Sequence, residues 1–409
     1  MDKEKLRNYA KLLARSGLNV KKGQEVIIRT APEQLDFLEM LVEEMYLAGA
    51  SKVRVKWHYD PISRLNIQYQ DVDTLGRVEK WEEEEWKHQA EVLPANIYLD
   101  SDDPNGMDGI DHAKHGEAQR RVYSVIKKYR DSMENKYQWC VAAVPGVKWA
   151  RKVFPGMSDE QAVEKLWEMI LFCSRAEGDP LANWEKHDQN LREKCDKLNA
   201  LNIRRLNYKS ELTGTDLTVG LIDCSQFMGG ADVLPGSDVW FNANIPSEEV
   251  FTTPMKGDAE GIVYATRPLS YHGAMIEDFY IRFEGGKAVD SHARVGEDAL
   301  KAMLSIDEGS CMLGECALVP FESPIQQSGV LFYNTLFDEN ASCHLAMGHG
   351  YSVCLKGYEN RTEEEANALG VNDSLNHVDF MIGSSDLAID GVTADGNVIP
   401  LFRNGTWAL

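Results

Sequence analysis

No apolar run in this 409-residue chain approaches the length needed to span a bilayer. The opening MDKEKLRNYAKLLARSG is charged from its second residue and lacks an apolar core, so no secretion signal is expected there. The eight cysteines are scattered and include no C-x-x-C pair, so reduced, mostly buried thiols and a cytoplasmic protein are expected. Basic residues are few: 43 against 65 acidic ones, a formal charge of −22. That balance repels nucleic acid and anionic membranes, so neither is expected as a partner. It would attract a cationic substrate such as a free amino terminus, although a solvated acidic surface accounts for the same charge. The tract WEEEEWKH at 81–88 illustrates the solvated case. G-x-G-x-x-G and G-x-x-x-x-G-K-[ST] are both absent, which removes support for nucleotide binding. H-E-x-x-H and G-x-S-x-G are absent too, and with them the familiar zinc-helix and serine-elbow hydrolases.

What is present is an ordinary globular composition, 43% hydrophobic and 26% charged, in a chain long enough for two domains. The first part alternates helix and strand patterns. DKEKLRNYAKLLARSG places Leu6, Tyr9, Leu12 and Leu13 on one helical face between an Asp2 cap and a Gly17 stop. QEVIIRT, SKVRVKW, ANIYLDS and QWCVAAVP read as strands with helical segments between them. The rhythm predicts an α/β amino-terminal domain with a mainly parallel sheet, over 1–190. From about residue 202 short strands dominate, punctuated by Gly-Gly, Asp-Gly and Asn-Gly. They predict a strand-rich α+β domain over 191–409. YSVCLKG and DVWFNAN are among the predicted strands, and RTEEEANALGVND at 361–373 reads as a variable loop.

Groups able to bind a cation crowd into the second half. In LNHVDFMIG, His377 and Asp379 share one face of a strand, suiting Zn²⁺, Co²⁺ or Mn²⁺, or simply bonding to each other on a wet face. Glu315, in GSCMLGECALVP, sits in an interior strand, where a carboxylate needs a metal or an arginine. Gly314 beside it leaves room for a ligand or another chain segment. Glu248 and Glu249 are adjacent in FNANIPSEEVFTTP, so only one can enter a given site. In NTLFDENASCHLAMGHGY, Asp338 is a candidate cap for a short helix over 339–347 that Gly348 ends. His344 projects from that helix, His349 lies beyond the break, and Tyr351 opens the next strand. Glu339 is free to be a ligand or to serve the helix dipole. Cys343 as a nucleophile is set aside, because adjacent Cys and His side chains point apart and nothing depresses its pKa. Four carboxylates and two histidines are the inventory of a two-metal hydrolase.

As a set, NIPSEEVFTTP, LGECALVP, NTLFDENASCHLAMGHGY and NHVDFMIGS resemble, in order and spacing, the motifs of the aminopeptidase T / aminopeptidase S family of metallopeptidases. The amino-terminal YAKLLARSGLNVKKGQEVIIRTAPEQLDFLEMLVEEMYLAGASKV extends the likeness along the chain. The resemblance implies a cytoplasmic, homodimeric aminopeptidase acting on short peptides with free amino termini through two divalent cations. It carries the ligand roles to Glu249, Glu315, His344, His377 and Asp379, with Glu339 as a further ligand or catalytic group and Tyr351 as the site tyrosine. Two other readings stand beside it: a different dinuclear amide or ester hydrolase, and a silent relative that binds peptide or metal without turnover.

Overall fold

The computed structural model describes residues 1–271 and 273–409. The chain divides into two compact units, one of residues 1–184 with 231–246, the other of 185–230 with 247–409. The return of 231–246 to the first unit has no signal in the sequence.

In the first unit, strands β1 (Glu25–Thr30), β2 (Lys52–Trp57), β3 (Ala95–Asp100) and β4 (Trp139–Ala143) form an all-parallel sheet in the order β2-β1-β3-β4. Helices Leu35–Ala48 and His112–Met133 lie within the crossovers that parallel pairing requires. The first helix, Lys3–Leu12, starts where the Asp2 carboxylate accepts the Glu4 N–H, and it buries Leu6, Tyr9 and Leu12. Tyr9, Phe37 and Trp167 then meet ring to ring at 5.2–6.2 Å, one of the largest apolar anchors of this unit.

The second unit holds a nine-stranded sheet, antiparallel throughout, between Ile203 and Trp407. A smaller antiparallel sheet carries the chemistry: β5 (Val250–Thr252), β6 (Leu313–Leu318), β7 (His344–Gly348) and β8 (His377–Met381), in the order β8-β7-β6-β5. The α/β unit followed by a strand-rich α+β unit agrees with the predicted fold class.

Four local expectations are corrected. The helix predicted over 339–347 is instead a short one, Thr335–Glu339, followed by strand β7. Asp338 reaches backward, its carboxylate accepting the N–H groups of Phe332 and Asn334. YSVCLKG is a 3-10 turn at Ser352–Cys354, so Tyr351 precedes a turn rather than opening a strand. DVWFNAN reduces to the two-residue strand Trp240–Phe241, paired with Asp232–Val233. RTEEEANALGVND is a capped helix, Glu363–Leu369, with a reciprocal Thr362–Glu365 capping box. Ala366 and Val371 pack with Ile222 and Leu355 beneath it.

Asp386 ties two loops of the large sheet together. Its carboxylate accepts from Ser210 Oγ, Ser384 Oγ and the N–H groups of Glu211 and Leu212 at 2.6–3.0 Å. Burial pushes its pKa up, but these bonds outweigh it and hold the pKa near about 2. Asp386→Ala should cost about 2–3 kcal/mol at neutral pH, read as a lower urea midpoint. Because the folded pKa is depressed, this stability is complete above about pH 4 and is lost as the pH falls toward about 2. The gap between wild type and variant should therefore narrow over that window.

Candidate metal centre

Strand register determines which groups meet. Glu315 on β6 stands opposite Ala346 on β7, which stands opposite Asp379 on β8. The row behind it is Ala317, His344 and Met381, and the row in front pairs Gly348 with His377. Alternation puts Glu315, His344, His377 and Asp379 on one face. Cys316, Leu345, Met347 and Phe380 fall on the other and join the core of this unit. Ala346, with only a methyl group, separates two carboxylates that a larger residue would crowd. Glu249 arrives from the residue preceding β5, and Glu339 from the end of the Thr335–Glu339 helix.

The glycines are explained by close approach. A Cβ on Gly314 would lie 2.1 Å from the His349 carbonyl oxygen, so the space next to Glu315 admits another chain segment. Gly348, at φ +104°, lies where a Cβ would meet Asn376 O at 2.2 Å.

Two triads result, with ligand-capable atoms of each within 4.8 Å of one another: Glu249, Glu315 and His344, and Glu315, His377 and Asp379. Glu315 is common to both. His344 Nε2 lies 3.1 Å from Glu249 Oε2. His377 Nε2 lies 3.1 Å from Glu315 Oε2 and 3.3 Å from Asp379 Oδ1. The other imidazole nitrogens face backbone carbonyls, His344 Nδ1 on Ser342 O at 3.2 Å and His377 Nδ1 on His349 O at 2.7 Å. A carbonyl can only accept, so each Nδ1 carries the hydrogen and each Nε2 turns toward the carboxylates. Metal-binding histidines are held in this way.

The charge inventory points the same way. Glu315 is 4% exposed and His344 1%. Among the described residues no Lys or Arg pairs with Glu249, Glu315, Glu339 or Asp379; the ion pairs of Glu249, Glu315 and Asp379 are with the two histidines. Burial and the nearby Asp379 and Glu249 raise the Glu315 pKa to about 7, although His377 works against them. Burial, Asp379 and Glu249 push Glu339 well above the usual carboxylate range. Asp379 resists its own burial and stays low because His377 is beside it. Burial would lower His344, but Glu249 and the other carboxylates lift it to about 10. His377 is likewise raised, against its burial, by Asp379 and Glu315. Asp379 Oδ1 is buried without a well-aligned hydrogen bond, its contact being the 3.3 Å approach of His377. Crowded carboxylates, inward Nε2 atoms and an unsatisfied oxygen fit divalent cations.

Tyr351 is 37% exposed as a residue, yet its hydroxyl lies 3.1 Å from His377 Nε2. Burial of the hydroxyl and the carboxylates, Glu315 first, hold its pKa far above the ordinary tyrosine value. Glu248 lies apart from both triads, with Oε1 4.0 Å from His187 Nε2. The His349 side chain faces Asp373 at 3.8 Å. Cys343 is buried, its Sγ on Val319 O at 3.3 Å and its thiol pushed up to about 12 by burial.

Sequence reasoning missed the supports. Asn340 accepts the Glu248 N–H at 2.7 Å and donates to Glu339 Oε1 at 3.3 Å, linking the two acidic segments. Asn372 donates to Gly309 O and Gly348 O and so braces the end of β7. The Ser342 and His349 carbonyls that orient the imidazoles act through backbone and leave no mark on residue type.

The profile of the thermophilic metalloprotease (M29) family matches residues 2–407. The chain is 43% identical to aminopeptidase AmpS of Bacillus subtilis, over 99% of this chain and 98% of that one. It is 39% identical to aminopeptidase T of Thermus thermophilus, over 100% and 99%. The solved structure of wild-type AmpT from Thermus thermophilus superposes with a TM-score of 0.90 at 38% identity, covering all of both chains.

Proposed function

The chain belongs to the thermophilic metalloprotease family M29, and on that premise we propose that it releases amino-terminal residues from short peptides at a centre of two divalent cations. The observation that carries the two-cation reading is that Glu315 belongs to both triads. Glu249 and His344 complete one position; His377 and Asp379 complete the other. Bound there, the cations would supply Lewis acidity that brings the pKa of water toward neutrality and polarises the scissile carbonyl. Nitrogen and oxygen donors of this kind accept Zn²⁺, Co²⁺ or Mn²⁺.

The chain's own groups do the rest. Tyr351 donates its hydroxyl hydrogen to the oxyanion that develops on the carbonyl. Glu339, outside both triads and surrounded by carboxylates that favour its protonated form, carries a proton to the departing amine. The ammonium of the substrate meets a site rich in carboxylates, which selects a free amino terminus over a blocked one. No disulfide joins the eight cysteines, which supports a reducing, cytoplasmic setting, and no described helix is long and apolar enough to cross a membrane. The homodimer is proposed from family likeness.

The test is chelation followed by add-back of each cation, with metal analysis, on short peptides carrying free or acetylated amino termini and on phosphoesters. Activity should vanish with the metal and return with two cations per chain, for free termini alone. Undiminished activity after complete metal removal would overturn the proposal. So would equal cleavage of blocked peptides or hydrolysis confined to phosphoesters, and a failure of every cation to restore turnover would identify a silent relative.

A further inference from the structure

A parallel sheet with helical crossovers is normally apolar on both faces. The sheet of the first unit is apolar on one face only. Val26, Ile28, Ile97, Leu99 and Ala142 line that face and are buried. On the other, register aligns Ile27 with Asn96 and Trp139, and Arg29 with Tyr98 and Val141. This polar, aromatic face lies opposite helices Lys80–Val92 and His112–Met133, and a cavity of about 610 Å³ is left between them. That size suits a small organic ligand.

Two of its polar groups lack partners. Asn96 is 4% exposed; its Nδ2 donates to Pro94 O, while its buried Oδ1 accepts nothing. Arg29 has a buried Nε without a partner, and no carboxylate pairs with it among the described residues. Its guanidinium lies 5.4 Å from the centre of the Tyr98 ring. At the rim the Arg130 guanidinium is 5.7 Å from the Tyr123 ring. Trp86, Tyr137 and Trp139 complete the aromatic lining. A half-buried guanidinium with no carboxylate partner and an unpartnered Nε asks for an anion, and an unpaired amide oxygen asks for a hydrogen-bond donor. Asp131, paired with Lys127, and Glu134 line the cavity beside Arg29 and Arg130, and these carboxylates disfavour a multiply charged phosphate and suit a ligand that carries an ammonium as well as a carboxylate.

We propose that this cavity binds a free aromatic α-amino acid, its carboxylate on Arg29, its ammonium on Asn96 Oδ1 and its ring among the tyrosine and tryptophan rings. The site does not involve the metal centre and does not rest on the function proposed for it.

The experiment uses the full-length metal-loaded protein and L-phenylalanine, with 3-phenylpropionate lacking the ammonium and phenethylamine lacking the carboxylate. Hydrogen exchange on the wild-type protein should show protection by L-phenylalanine at 95–100 and 123–139. Calorimetry should show weakening of about tenfold or more for each truncated analogue and for Arg29→Gln. Peptidase activity of Arg29→Gln should match wild type, which also reports its folding; the exchange measurement needs no variant. Protection confined to 313–318 and 344–381 would overturn the proposal. So would superimposable isotherms for wild type and a folded Arg29→Gln, or phenethylamine binding as tightly as L-phenylalanine.

Discussion

Glu315→Gln should abolish peptidase activity, lower metal content and leave the protein folded. The side chain belongs to both triads, so neutralising it weakens two positions at once. Glutamine keeps the volume and can still accept from His377, now 3.1 Å from Glu315 Oε2, so no cavity opens in β6. A fall in kcat/KM of about 10³-fold or more, near 4 kcal/mol of lost transition-state stabilisation, is expected. Stability of the metal-free protein should move the other way. Burial and the carboxylates of Asp379 and Glu249 drive the Glu315 pKa to about 7, which shows how poorly the site tolerates that charge without a cation. Removing it should leave thermal unfolding of the metal-free protein unchanged or raise it, while the gain in stability on adding metal shrinks. Metal analysis, steady-state kinetics and paired melts with and without cation read all three. Wild-type activity in the variant would show that Glu315 is no ligand.

The parts of this site legible in the sequence are those where local pattern and tertiary placement agree. His377 and Asp379 alternate with Val378 and Phe380, and the strand they occupy has that polar face and that apolar one. LGECAL is buried at every position, as a continuous small and apolar run implies. His344 was harder. HLAMG contains good helix formers, and only pairing with β6 on one side and β8 on the other makes it a strand. Its destination is decided by the register partners Ala317 and Met381, 27 and 37 residues away along the chain, which no local window contains.

The same limit explains Tyr351 and the supporting residues. Sequence pattern made YSVCLKG a strand because Tyr, Val, Cys and Leu are strand-compatible, yet Ser225 and Leu355 form only an isolated bridge there. Asn340 and Asn372 are polar residues buried for the sake of backbone and carboxylate partners that come from elsewhere in the chain. A buried asparagine looks like a loop residue until those partners are known.

Tyr351→Phe separates chemistry from metal holding. The ring contributes packing, edge-on to Phe251 at 6.0 Å and 4.7 Å from the His377 ring, and phenylalanine retains both contacts. What is lost is one hydroxyl, 3.1 Å from His377 Nε2. Burial and the surrounding carboxylates keep that hydroxyl protonated, so it serves as a donor and not as a base. A donor aimed at charge that appears only in the transition state lowers kcat and leaves KM nearly unchanged. A loss of about 10²–10³ in kcat is expected, with metal content equal to wild type. Glu315→Gln loses metal and activity together; Tyr351→Phe should lose activity alone. If Tyr351→Phe instead shed metal in proportion to activity, the hydroxyl would be positioning His377 rather than meeting the oxyanion. Unchanged kcat would remove it from the reaction altogether.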